Sequence, residues 1–172
     1  MPSSEILRTP RLLLRYQTPA DIPPLIALWR DPEVTRFMGG PRDLQRLQTA
    51  FDETQANPTA ETYDLWPLVE LSSGQTIGHC GLLDKEVDGK AEIELVYVLA
   101  RSAWGQGYAS EIGAALVAHA FERMGLRRLI ALIEPQNAPS ERVALRLGMR
   151  LEKEVIRPSG EPRRVYALEK ME

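Results

Sequence analysis

Residues 102–110 read SAWGQGYAS, between an apolar run, IELVYVL (93–99), and an amphipathic one, EIGAALVAHAFERM (111–124). Two glycines and an alanine fall within five positions, 105–109. A strand that ends in so small a turn and passes at once into a helix presents bare backbone N–H groups at the helix N-terminus. That arrangement holds anions. It also forces the chain to place a sheet beneath a covering helix.

The rest of the sequence supplies that sheet. RLLLRYQ (11–17) reads as a first strand, and TPAD supplies a cap for a helix over IPPLIALWR (22–30). GGPRDLQRLQTAFDETQ (39–55) breaks on glycine and starts a second helix, with Pro41 suited to its first turn. ETYDLWPLVEL (61–71) and QTIGHCGLLD (75–84) alternate as two antiparallel strands joined through SSG. Asp88-Gly89 marks a hairpin turn into KAEIELVYVL (90–99). Beyond the glycine turn, Ile112, Leu116, Ala120, Phe121 and Met124 form one apolar helical face. RRLIALIEP (127–135) is a short apolar strand. NAPSERVALRLGM (137–149) is a helix capped by Asn137 or Ser140 and stopped by Gly148, and RLEKEVIRP with RRVYALEK closes the chain as a hairpin through SGEP. There is no repeat, low-complexity tract or linker. One α/β (α+β) domain over residues 1–172, with a mostly antiparallel sheet flanked by helices, accounts for every element.

Composition narrows the partners. The formal net charge of −3 leaves no basic field for nucleic acid, and the arginine pairs at 127–128 and 163–164 read as solvated strand ends. A lone cysteine, Cys80, permits no intrachain disulfide and suits a reducing compartment. The opening MPSSEILRTPRLLLRY lacks the apolar segment of a signal peptide, and no run approaches transmembrane length. A cytoplasmic location without membrane contact is the expectation. No spacing of His, Cys and carboxylates suggests a metal.

Gly105-Gln106-Gly107 half-matches a dinucleotide fingerprint but lacks its third glycine, and it follows a strand meander rather than opening a βαβ unit. No Gly-Lys-Ser/Thr of a Walker loop is present. Taken with IEPQNAPSERVALRLGMR and TIGHCGLL, however, EIELVYVLARSAWGQGYASE resembles the GNAT superfamily of acyl-CoA-dependent N-acetyltransferases. Within it, the chain is most similar to the ribosomal-protein N-terminal acetyltransferase-like branch, from TPRLLLRYQTPAD to VYALEK. The resemblance implies acetyl-CoA as co-substrate. Its pyrophosphate motif, Gln/Arg-x-x-Gly-x-Gly/Ala, falls on Trp104-Gly105-Gln106-Gly107-Tyr108-Ala109, with Trp104 where Gln or Arg is usual. It further implies that the strand at 91–99 splays from 127–135. Pantetheine would then lie along Tyr97, Val98 and Leu99 as an added strand, with Asn137 on the other wall. Arg101, Arg142 or Arg146 would meet the 3′-phosphate.

The implied chemistry is attack of a neutral amine on a thioester, which needs a proton acceptor. Glu94 lies on the acetyl-bearing strand in an otherwise apolar run. It is either a buried base or a solvent-facing carboxylate, and Glu92 shares its face. His79 is the rival acceptor, with a packed histidine as its plainer reading. Many relatives carry a Tyr acid seven residues after the Asn; here that position is Ala144, and Ser140 is the substitute. The branch points to a protein N-terminal α-amine as acceptor. The alternatives are a small amine such as an antibiotic or polyamine, or an acetyl-CoA-binding domain without turnover. A homodimer is also compatible with this reading.

Overall fold

Asp88 and Gly89 both have positive φ, 51° and 75°. The two-residue turn they form sets Val87 opposite Lys90 and fixes the register of the longest strand pair in the molecule. These strands are β4 (Thr76–Val87) and β5 (Lys90–Leu99). The computed structural model describes residues 4–172; residues 1–3, which the single-domain expectation includes, lie outside the described residues. The sheet is completed by β1 (Glu5–Arg8), β2 (Leu12–Arg15), β3 (Leu65–Glu70), β6 (Arg128–Ile133), β7 (Arg150–Ile156) and β8 (Pro162–Glu169). Its order is β1-β2-β3-β4-β5-β6-β8-β7, and every neighbouring pair is antiparallel except β5 with β6.

The helices cover both faces. α3 (Tyr108–Ala118) buries Ile112 and Leu116 completely, and a wider π turn continues it through Ala120 to Arg123. With α4 (Ala138–Arg146) it closes the main core over Leu95, Leu99, Leu129 and Tyr166. On the opposite face α1 (Ile22–Arg30) and α2 (Leu44–Ala56) pack Leu25, Leu28, Trp29, Leu47 and Phe51 onto Val98.

Three expectations need correction. RLLLRYQ, expected as the first strand, holds the second, β2; EILR before it is β1, because it pairs with β2. β4 extends three residues beyond Asp84, since β5 supplies partners as far as Lys90. Pro41 precedes α2 rather than entering its first turn; Asp43 is the N-cap, and its carboxylate accepts from Arg46 N at 3.0 Å.

Candidate active site

β5 and β6 are registered at one point only, Glu94 opposite Ile130. Ala100 N donates to Ile77 O at 2.8 Å, so the two-residue alternation turns the main-chain groups of Val98 toward β4. Those of Tyr97 and Leu99 face the β6 side, beyond the last registered pair. This corrects the reading of Val98: its backbone is committed to β4, and only Tyr97 and Leu99 present main chain to the fork. Val98 instead contributes its side chain to the α1/α2 core.

Immediately after the fork comes the glycine turn. Gly105 and Gly107 have φ of 75° and 79°, a left-handed conformation that a side chain would strain. The first α3 helix bond is Glu111 N to Gly107 O, so the N–H groups of Gly107 through Ser110 have no partner within the helix. Arg11 lies beside the turn, with its Nη2 3.5 Å from where a Gly107 side chain would begin and its guanidinium 4.4 Å from the Tyr108 ring centre. The Tyr108 hydroxyl donates to Glu70 Oε2 at 2.7 Å. Gln106 turns back to donate to Ser102 O, and Ala109 follows within α3. Trp104 is half exposed, and its indole N–H donates to Leu99 O at 2.9 Å, on the fork side of β5.

The second wall is the start of α4. Asn137, and not Ser140, is the N-cap: its Oδ1 accepts from Ser140 N at 3.2 Å, leaving its amide group as a donor. The Tyr97 side chain reaches this wall from β5. Its hydroxyl donates to Ser140 O at 3.0 Å and accepts from Ser140 Oγ at 3.3 Å. Burial pushes the phenol up to about 12, so it stays protonated. Sequence reasoning used only the Tyr97 backbone. Alternation along β5, which puts Ile93, Leu95, Tyr97 and Leu99 on the α3/α4 face, would have revealed the side chain.

Glu94 is buried, at 9% exposure. Its Oε2 accepts from Leu132 N at 3.3 Å, so the carboxylate bridges the strands just where they begin to part. Lys85 Nζ stands 3.7 Å from its other oxygen. Burial raises its pKa, against the nearby charges of Lys85 and Arg157 and the Leu132 N–H. Glu92, on the same face, is tied to Arg128 at 3.0 Å and has no comparable freedom. His79 is a packed residue. Its Nδ1 accepts from Trp29 Nε1 at 3.0 Å, Phe51 packs edge-on, and burial lowers its pKa to about 4. Cys80 is buried, and burial pushes its thiol up to about 12. Arg101 is held by Asp31 at 2.8 Å, while Arg142 and Arg146 are exposed on α4. Among the described residues, no group of three His, Cys or carboxylate side chains is placed to hold a metal, and no helix is long and apolar enough to cross a membrane.

A parted strand pair, an open run of β5 main chain and a glycine turn at a helix start form a cleft suited to an extended ligand with a phosphate end. Residues 11–150 match the family model described as the acetyltransferase (GNAT) domain. The chain belongs to the GNAT acetyltransferase family. It is similar to the uncharacterized N-acetyltransferase p20 of Bacillus licheniformis, 35% identical over 147 residues that cover 79% of this chain and 77% of that protein. The crystal structure of an acetyltransferase from Agrobacterium tumefaciens matches with a TM-score of 0.79 at 31% identity, covering 95% of this chain and 94% of that one. A spermidine N-acetyltransferase from Vibrio cholerae, solved with CoA and spermine, shares the fold alone, with a TM-score of 0.75, 12% identity and coverage of 94% and 96%.

Proposed function

We propose that this chain moves the acetyl group of acetyl-CoA onto a primary amine in the fork between β5 and β6, with residues 1–172 acting as one unit. The observation that carries the reading is the fork itself. The main chain of Tyr97 and Leu99 faces its open side, and it leads directly into the free N–H groups of the α3 start. An amide chain such as pantetheine can be held there as an added strand, with the Asn137 amide group as a donor opposite. The N–H groups from Gly105 to Ala109 suit a pyrophosphate, aided by the α3 dipole. Trp104 replaces the usual Gln or Arg; its indole steadies Leu99 O, the edge on which the amide chain would lie. Arg142, exposed on α4 as is Arg146, is a guanidinium available to the 3′-phosphate.

When bound, acetyl-CoA supplies an activated acyl carbon. The amine nitrogen attacks that carbon, the C–N bond forms and the C–S bond breaks. Glu94, whose buried carboxylate has a raised proton affinity, accepts the amine proton directly or through a water. Ser140 turns the hydroxyl proton that it gives to the Tyr97 oxygen toward the departing sulfur when acetyl-CoA is bound. A thiolate whose acid has a pKa of about 8.5 then leaves without full proton transfer and is protonated by water. The family resemblance favours a protein N-terminal α-amine as acceptor. Its pKa of about 7.7–8.0 asks less of the base than lysine at about 10.4.

Thiol release from acetyl-CoA over an amine panel tests the reading. Glu94→Gln should slow turnover by about 10²–10⁴ at neutral pH while keeping the acetyl-CoA melting shift. Part of the rate should return as pH rises toward 9, because the amine then arrives deprotonated. A wild-type rate from pH 6 to 9 would remove Glu94 from the role. Tight binding with no thiol released from any amine would make this a binding domain.

A further inference from the structure

A cavity of about 300 Å³ opens just beyond the end of β6. Arg36 and Phe37 belong to the α1–α2 connection, Glu134 and Gln136 follow β6, Glu161 closes the β7–β8 turn and Arg163 lies at the start of β8. The first wall is tied to the β5 side of the sheet, since Met38 and Val96 both pack against the core cluster that holds Val98. Arg42 Nη1 clasps Met38 O and Gly40 O at 2.7 Å each, with its guanidinium over the Trp29 ring. This volume sits at the small end of ligand sites, room for one amino-acid-sized group.

The charges in the cavity are not evenly paired. Arg163 Nη2 and Glu161 Oε2 neutralise one another at 2.9 Å. Glu134 Oε2 accepts from Gln136 N at 2.8 Å and forms no ion pair among the described residues. Arg36, exposed on the rim, forms no ion pair among the described residues, and its guanidinium lies 5.1 Å from the Phe37 ring centre. An occupant therefore meets one unneutralised anion and one unneutralised cation. A polyamine or aminoglycoside would bring several positive charges to a site with one free carboxylate and an opposing guanidinium. A guanidinium is instead well shaped to hold a carboxylate through two parallel N–H bonds.

We infer that the accepted amine also carries a carboxylate, which Arg36 holds while the amine faces the Glu134 side of the cavity and the fork. This rests on the acyl-transfer reading above and names the acceptor class for it. A free amino acid or a peptide with an acidic first residue presents this chemistry. In either, the amine nitrogen gains the acetyl group, loses one proton to the base and displaces CoA as thiolate, while the carboxylate is unchanged.

The test measures thiol release by the full chain with glutamate, glycine, their carboxamides, peptides starting in Glu or Gln, spermidine and an aminoglycoside. Carboxylate-bearing amines should exceed their uncharged counterparts by about 10- to 100-fold in kcat/KM, the worth of a hydrogen-bonded charge. Arg36→Ala should erase that margin through KM, and Arg36→Glu should reverse it, with the acetyl-CoA melting shift retained in both. Preference for the free acids over the Glu-led peptides, or the reverse, identifies the source of the carboxylate. Equal use of acid and amide, preference for spermidine or the aminoglycoside, or indifference of the margin to Arg36 overturns the inference while leaving acyl transfer standing. Failure of the underlying reading looks different: no acetyl-CoA shift and no thiol from any amine.

Discussion

Tyr97 turns its main chain to the fork and crosses to α4 with its side chain. Tyr97→Phe keeps the packing but removes both hydroxyl bonds to Ser140. The expected loss is about 0.5–1.5 kcal/mol, read from the urea midpoint. If the two hydroxyls act on the sulfur as a unit, Tyr97→Phe and Ser140→Ala should slow turnover comparably, and the double variant should be little worse than either. Additive losses would separate them. Gly107 is the other residue with a sharp expectation. Acetyl-CoA at a hundredfold excess over its Kd should stabilise the wild type by about 2.7 kcal/mol. Gly107→Asp should abolish that shift, because it sets a carboxylate where phosphate belongs, beside an Arg11 able to hold it there. A folded variant with the full shift would place the phosphate elsewhere.

Among the elements, the entry to α1 is held by one carboxylate that binds three segments. Asp21 is 1% exposed and takes both terminal nitrogens of Arg15 at 2.6 and 3.0 Å. It also accepts from Thr18 N at 2.7 Å and from Thr76 Oγ1 at 2.6 Å, joining β2, the start of the short turn that leads into α1, and β4. Burial pushes its pKa up, but the bonds from Arg15, Thr76 and Thr18 outweigh this and hold it below the ordinary value. The folded state therefore binds this proton less readily than the unfolded chain. Its contribution is present above the unfolded pKa of about 3.9 and is lost as pH falls through the lower folded value. Asp21→Asn should cost about 3–5 kcal/mol at pH 7, since it strands Arg15, and the gap to wild type should narrow toward pH 3. A pH-independent gap would mean that shape, not charge, does the holding.

For the whole molecule, the pH dependence of stability sets His79 against Glu94. Burial lowers His79 from about 6.5 to about 4, against a backbone bond to Leu65 and the charge of Asp21. The unfolded chain takes a proton that the fold refuses, so this stability is complete above pH 6.5 and drains away toward pH 4, by about 3 kcal/mol in all. Glu94 acts in the opposite sense. Its raised pKa makes the fold hold a proton the unfolded chain has released, so stability falls as pH rises from about 4.3 to the folded value. His79→Gln, which keeps an acceptor for Trp29 Nε1, should flatten the acid-side slope of unfolding free energy between pH 7 and 4. Glu94→Gln should steepen it. Unchanged slopes in both variants would show that neither group governs the acid limb.

Much of this molecule could be read along the chain because its signals are local. The Asp88-Gly89 turn, the apolar face of Ile112, Leu116 and Ala120, and the glycine turn at 105–107 each depend on neighbours within a few residues. The tertiary structure alone decided what depends on partners distant in sequence. EILR is a strand because β2 lies beside it, and Val98 is barred from the fork because its main chain is committed to β4. Glu94 is a buried carboxylate at the point of parting because Leu132 N, 38 residues on, faces the same gap. Tyr97 meets Ser140 across 43 residues, a contact that exists only because the start of α4 lies against β5. Periodicity assigns a side chain to a face, but which group waits on that face follows from strand order, and strand order is fixed only when the whole sheet closes over its core.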